Sequence, residues 1–124
     1  MEIINTTNAP APIGPYSQAT VAGNFVFVSG QIPLNPATGE LVTTGIKDEA
    51  ALVMENIKAI LTEAGIGFEN IVKTSIFLTD LGNFGQVNEV YGTYFTANFP
   101  ARETVQVSAL PKGVNVEISV IAVK

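Results

Sequence analysis

The side chains able to do chemistry in this sequence are few, because it contains neither cysteine nor histidine. Thiolate catalysis, disulfides and cysteine-based zinc sites are excluded, as are the serine–histidine–aspartate triad and the commonest general base. The work falls to Asp, Glu, Lys, Arg, Tyr, Ser, Thr and the backbone. Two segments near the end of the chain set such groups in strict alternation. In the first, Arg102, Thr104, Gln106 and Ser108 share one face, with Glu103, Val105, Val107 and Ala109 on the other. In the second, Val116, Ile118 and Val120 share one face, opposite Asn115, Glu117 and Ser119. Each strand thus presents a polar row containing one charge, Arg102 or Glu117. A guanidinium stays charged and grips a carboxylate through two hydrogen bonds, and a carboxylate can serve as a general base. The pair suits a wet cleft that holds a small anion; the plainer alternative is a solvated sheet face with two exposed charges. In a simple hairpin turning at Lys112 and Gly113, a rise of about 3.3 Å per residue would leave the two roughly 15 Å apart. That is too far for one small substrate. Either another strand lies between them, or two subunits contribute to one site.

Asn88 falls on an apolar helical stripe between Phe84 and Tyr91, where an amide needs a partner. The partner is either backbone from a neighbouring loop or a ligand. Tyr16 follows Pro15 in a rigid loop; its ring packs under that loop or its hydroxyl covers a cleft. Other patterns carry nothing. Gly65-Ile66-Gly67 follows a helix and lacks the third glycine of a dinucleotide fingerprint. Asp80 and Glu89 are not spaced as metal ligands.

The elements that must position these residues are legible from periodicity. Residues 9–16 are too proline-rich for a helix or a central strand and form an ordered loop or a disordered arm. Residues 25–29 form a strand. Residues 47–64 form a helix, with Ala50, Val53, Met54, Ile57, Ile60, Leu61 and Ala64 on one side and Gly65 as its cap. Residues 71–79 form a strand. A second helix, capped by Asp80 or Asn83, runs to about residue 98, before Pro100. Residues 103–109 and 114–123 are the last strands. The order β-α-β-α-β-β with two amphipathic helices predicts a two-layer α+β domain spanning residues 1–124.

Composition limits the partners. The chain has 124 residues and a net charge of −5, which disfavours nucleic acid. Its start has no basic stretch followed by an apolar run, and no segment approaches a membrane span, so a cytoplasmic protein is expected. Apolar residues make up 47% and charged residues only 14%, against about 25% charged in ordinary soluble domains. A small chain with that surplus is expected to cover it with another subunit.

Four segments together resemble the Rid (YjgF-type) family: Ala11-Pro12-Ile13-Gly14-Pro15-Tyr16-Ser17-Gln18, Ser29-Gly30-Gln31-Ile32-Pro33, Val87-Asn88-Glu89-Val90-Tyr91, and Pro100-Ala101-Arg102 followed by Val116-Glu117-Ile118. The resemblance runs nearly end to end. It implies a chorismate-mutase-like fold and a homotrimer whose sheets form a central barrel, with clefts at the interfaces. It also implies hydrolysis of 2-imino acids to 2-keto acids and ammonia, on imines and enamines released by pyridoxal-phosphate dehydratases, without metal or cofactor. By the same carry-over, Arg102 grips the substrate carboxylate and Glu117 positions or deprotonates water. Tyr16, Ser29, the Gly30 backbone, Asn88 and Thr104 line the cleft. Two positions depart from many relatives: Glu103 stands where a small residue is common, and Thr104 where cysteine is common. A trimer that binds small carboxylates without turnover is the alternative reading.

Overall fold

The computed structural model describes residues 1–124. Six strands form one sheet in the order β1-β2-β3-β6-β4-β5: β1 (Glu2–Ile4), β2 (Ala19–Ala22), β3 (Phe25–Gln31), β4 (Ile71–Leu78), β5 (Ala101–Gln106) and β6 (Val116–Val123). Two helices, α1 (Ile46–Glu63) and α2 (Phe84–Gly92), cover one face. Strand β6 shows why the sheet has a core side. Val116, Ile118, Val120 and Ala122 are buried, while the alternating Glu117, Ser119, Ile121 and Val123 are half-buried on the other face. The buried row meets Val53, Ile57, Ile60 and Leu61 of α1 in the same core. Helix α1 ends as its sequence predicts. Gly65 takes φ 79°, with Gly65 N–H donating to the Thr62 carbonyl and Ile66 N–H to that of Leu61, a pairing that satisfies the last carbonyls.

The predicted order β-α-β-α-β-β holds from β3 onward, and two N-terminal strands precede it. Strand β1 is three residues long and β2 four, too short for an alternation to register. The arm of residues 9–16 is an ordered loop without regular structure. The second helix is shorter than predicted. After Gly92, the N–H groups of Thr93, Tyr94 and Phe95 bond three residues back rather than four, and Asn98 turns left-handed at φ 56° before Pro100. The aromatic stripe continues through Tyr94 and Phe95, which pack on the core from a turn instead of a helix.

Strands β5 and β6 do not form a hairpin. Strand β4 lies between them, parallel to β5 and antiparallel to β6. Arg102 stands beside Thr74, and Thr74 beside Val120, so Arg102 shares the helix-covered face. Glu117 stands beside Phe77, and Phe77 beside Val105, on the open face. The two polar rows therefore occupy opposite faces of the sheet. Alternation within each strand was readable, but the phase between strands depends on a register that only β4 supplies.

The open face is partly apolar. Phe25 is 48% exposed, Phe27 43% and Val105 40%. Two of its charges are paired, Lys73 Nζ lying 2.9 Å from Glu103 Oε1. The Ser75 hydroxyl donates to the same Glu103 carboxylate; that bond first, and Lys73 next, hold this carboxyl below the usual range. Glu103 thus points away from Arg102, as alternation requires.

Candidate active site

The site residues fall into two cavities. The first, of about 540 Å³, is lined by Tyr16, Ser29, Gly30, Lys112 and Glu117, with an apolar wall that includes Ile13, Ile32 and Leu34. A bulge in β3 builds its floor. Val28 pairs with Val120 and Gln31 with Ile118, so Ser29 and Gly30 together oppose Ser119 alone. Such an extra residue re-aims the strand locally. The Ser29 hydroxyl donates to the Ser17 carbonyl at 2.6 Å, and its N–H donates to the Gln18 carbonyl at 2.9 Å. These bonds tie the bulge to the loop that carries Tyr16. Gly30 is needed for a close approach. A Cβ there would sit 2.8 Å from Cδ of Glu117 and 3.0 Å from its Cγ and Oε1.

Glu117 is half-buried, and burial raises its carboxyl above the ordinary range. None of the protomer's hydrogen bonds or ion pairs below 4.0 Å ties its carboxylate to another side chain. A carboxylate shielded from water yet unpaired is a stronger proton acceptor than a solvated one.

The second cavity, of about 480 Å³, lies across the sheet and is lined by Asn88, Tyr91, Gly92, Phe99, Pro100 and Arg102. Arg102 Nη1 donates to Asn88 Oδ1 at 2.8 Å. Its guanidinium carbon lies 5.0 Å from the centre of the Tyr91 ring and 5.5 Å from that of Phe84, within cation–π range. Tyr91 is itself anchored, its hydroxyl donating to Thr74 Oγ1 at 2.9 Å. Burial raises the Tyr91 phenol, partly offset by the Thr74 bond and the nearby Arg102 charge. The guanidinium is thus fixed by one amide and two rings, with further N–H groups free for a carboxylate.

The structure unites Tyr16, Ser29, Gly30 and Glu117, and separately unites Arg102 with Asn88. It brings no Arg102 to Glu117 within one protomer. Asn88 is exposed, and its partner is the arginine rather than loop backbone. Thr104 shares the Arg102 face but lines neither cavity, and its Oγ1 is buried without a hydrogen-bond partner.

Several contributors carried no assigned role in the sequence. Gln18, 1% exposed, holds the N-terminal arm. Its Oε1 accepts from Thr6 N–H at 2.7 Å, and its Nε2 donates to the carbonyls of Thr6 and Pro10 at 3.0 and 2.9 Å. A glutamine beside a proline-rich loop whose backbone lacks ladder partners is the signal that could have found it. Phe84 and Tyr91 were legible only as core stripe, since nothing in a periodicity says that a ring faces a guanidinium. Asp and Glu side chains nowhere gather in threes as a metal-binding set would.

A two-layer α+β protomer with a fixed arginine on one sheet face and a half-buried carboxylate on the other defines the class of protein. Comparison with known proteins defines the family. The chain matches the model of the endoribonuclease L-PSP family over residues 6–124. It is 54% identical to a RutC family protein of Pyrococcus horikoshii over 123 residues, covering 99% of this chain and 98% of that one. It is 49% identical to the 2-iminobutanoate/2-iminopropanoate deaminase of Mus musculus over 123 residues, covering 99% and 91%. A solved structure of a Rid family protein from Yersinia pestis superposes with a TM-score of 0.97 at 52% identity, covering 99% and 98%. The chain belongs to the Rid (YjgF-type) family, as its four motifs led one to expect.

Proposed function

We propose that this protein hydrolyses 2-imino acids to 2-keto acids and ammonia in clefts formed between the protomers of a homotrimer. The carrying observation is the split site: a fixed Arg102 and an unpaired, half-buried Glu117 on opposite faces of one sheet. Neither half is sufficient for a small anionic substrate. Docking the open, partly apolar faces of three sheets into a barrel would cover Phe25, Phe27 and Val105, and would set one protomer's Glu117 cavity beside its neighbour's Arg102.

The chemistry then follows from the groups present. Arg102 holds the substrate carboxylate with paired N–H donors. Glu117 accepts a proton from water as its oxygen bonds to the imine carbon. The nitrogen of the protonated imine, now an amine on a tetrahedral carbon, takes that proton back from Glu117 and leaves as ammonia, while the hydroxyl passes its own proton to Glu117 and becomes the keto group. Water is consumed and one ammonia released per imine. The 2-iminobutanoate and 2-iminopropanoate class suits the cavity's apolar wall. Such imines arise as enamines from pyridoxal-phosphate dehydratases acting on threonine and serine, which makes those enzymes the functional partners. The family description names an endoribonuclease, but a net charge of −5 and a sequence without histidine give RNA cleavage little support.

The test adds the protein to a threonine dehydratase with threonine and follows keto acid release. Acceleration by wild type, lost in Arg102→Ala, supports the proposal. No acceleration at micromolar protein, or equal acceleration by Arg102→Ala, overturns it. A carboxylate-binding trimer without turnover would instead consume no imine and keep its affinity in Glu117→Gln.

A further inference from the structure

Lys112 is the only cation lining the Glu117 cavity. It occupies an unusual backbone position, φ 57° and ψ 19°, between Pro111 and Gly113. Left-handed backbone at a residue other than glycine, asparagine or aspartate is disfavoured, and such outliers concentrate at functional sites. Lysine gains nothing locally from the position. The other non-glycine residue with positive φ is Asn98, a residue type that tolerates it. The turn is fixed by Gly113 N–H donating to the Leu110 carbonyl and Val114 N–H to that of Pro111, at 3.1 and 3.3 Å.

Charge pairing sharpens the case. The chain has six Lys and Arg residues. Lys47, Lys73 and Lys124 pair with Glu89, Glu103 and Glu2. Of the remaining three, Lys58 is exposed on α1 and borders a third cavity that it shares with Glu55 and Glu63. Arg102 and Lys112 are left, one in each cavity, with no carboxylate within 4.0 Å of either. An unpaired cation in each of the two site cavities, one of them sharing its cavity with Glu117, suits a ligand that carries two negative charges.

We propose that Lys112 is a specificity-determining residue that favours 2-imino acids whose side chain ends in a second anionic group. The inference rests on the proposed pairing of Arg102 with the shared carboxylate. Lys112 then meets the far end of the ligand, in a cavity whose lining also includes Ile13, Ile32 and Leu34. An ammonium suits this role because it is a mobile point charge on a long stem, able to follow side chains of different length.

The experiment measures dissociation constants for 2-oxoglutarate and 2-oxobutanoate by calorimetry, alongside turnover of imines made from the corresponding amino acids by an amino acid oxidase. Binding is read without turnover, so failure of the hydrolysis reading leaves this test standing. Lys112→Gln is expected to weaken the dicarboxylate about three- to tenfold more than the monocarboxylate, the range for one partly exposed charged contact. Lys112→Arg should restore most of the ratio. Lys112→Gly removes the charge and relaxes the left-handed backbone, so it repeats the test if the glutamine variant folds poorly. Raising salt should erode the wild-type ratio and leave that of Lys112→Gln flat. Equal weakening of both ligands, or an unchanged ratio in both charge-removing variants, overturns the proposal.

Discussion

Replacing Gly30 with alanine tests how closely the bulge and the carboxylate depend on one another. The added Cβ would lie 2.8 Å from Cδ of Glu117, against the 3.4–4 Å of ordinary contact. The carboxylate must therefore retreat by 0.6–1.2 Å, the difference between those distances. Backbone strain does not confound the change, because Gly30 is not among the glycines with positive φ. A misplacement of about 1 Å costs on the order of 10²-fold in rate, or about 2.7 kcal/mol of barrier. Stability should fall by less than about 1 kcal/mol, since the clash is with the far end of a side chain that can swing into the cavity. The assay is keto acid release from a dehydratase-generated imine, with thermal unfolding measured in parallel. In a Glu117→Ala background the clash is gone, so Gly30→Ala should cost almost nothing more in stability. Activity within about twofold of wild type in a folded Gly30→Ala protein would refute the reasoning. So would a rate loss that merely tracks unfolding.

Other outcomes follow from the same geometry. Glu117 must be ionised to accept a proton, so kcat/KM should rise with pH through a midpoint above the free glutamate value of about 4.3, because burial raises its pKa. Glu117→Gln should lower the rate by about 10²-fold or more. A raised folded-state pKa means the fold favours the protonated form. That stability is present below pH about 4.3 and is lost as pH rises through the folded value. Denaturant titrations should therefore show Glu117→Gln gaining on wild type toward neutral pH. Gln18→Ala strips the arm of a buried amide and should cost about 2 kcal/mol, with faster proteolysis at residues 6–16. Phe27→Lys puts an unpaired charge on the open face and should yield smaller particles by light scattering, with little activity and a folded protomer by circular dichroism.

The legible and illegible parts of the sequence divide along physical lines. Helix α1 declared itself through a long 3.6-residue period and a terminal glycine, both local. Strands β5 and β6 declared their two faces through alternation. The phase between those strands was not readable, because β4 enters the sheet between them from 30 residues earlier in the chain, counted from Arg102 back to Val72. That insertion put Arg102 and Glu117 on opposite faces, and it excludes a hairpin site within one protomer. The sequence left two ways to unite the pair, an intervening strand or a second subunit; the strand is present, and it separates them. Asn88 was visible as an amide on an apolar stripe, although its partner came from β5. Lys112 read as an ordinary turn residue, because bordering a cavity leaves no mark on periodicity.

A mixed-oligomer experiment tests the shared site most directly. Arg102→Ala and Glu117→Gln proteins, each nearly inactive, are unfolded together in equal amounts, refolded and assayed. In a closed ring where each cleft takes Glu117 from one protomer and Arg102 from its neighbour, random assembly gives an intact cleft when each supplier is of the right type. That is one half times one half, so about a quarter of wild-type activity should return. A mixture no more active than the sum of its two parents would contradict the account.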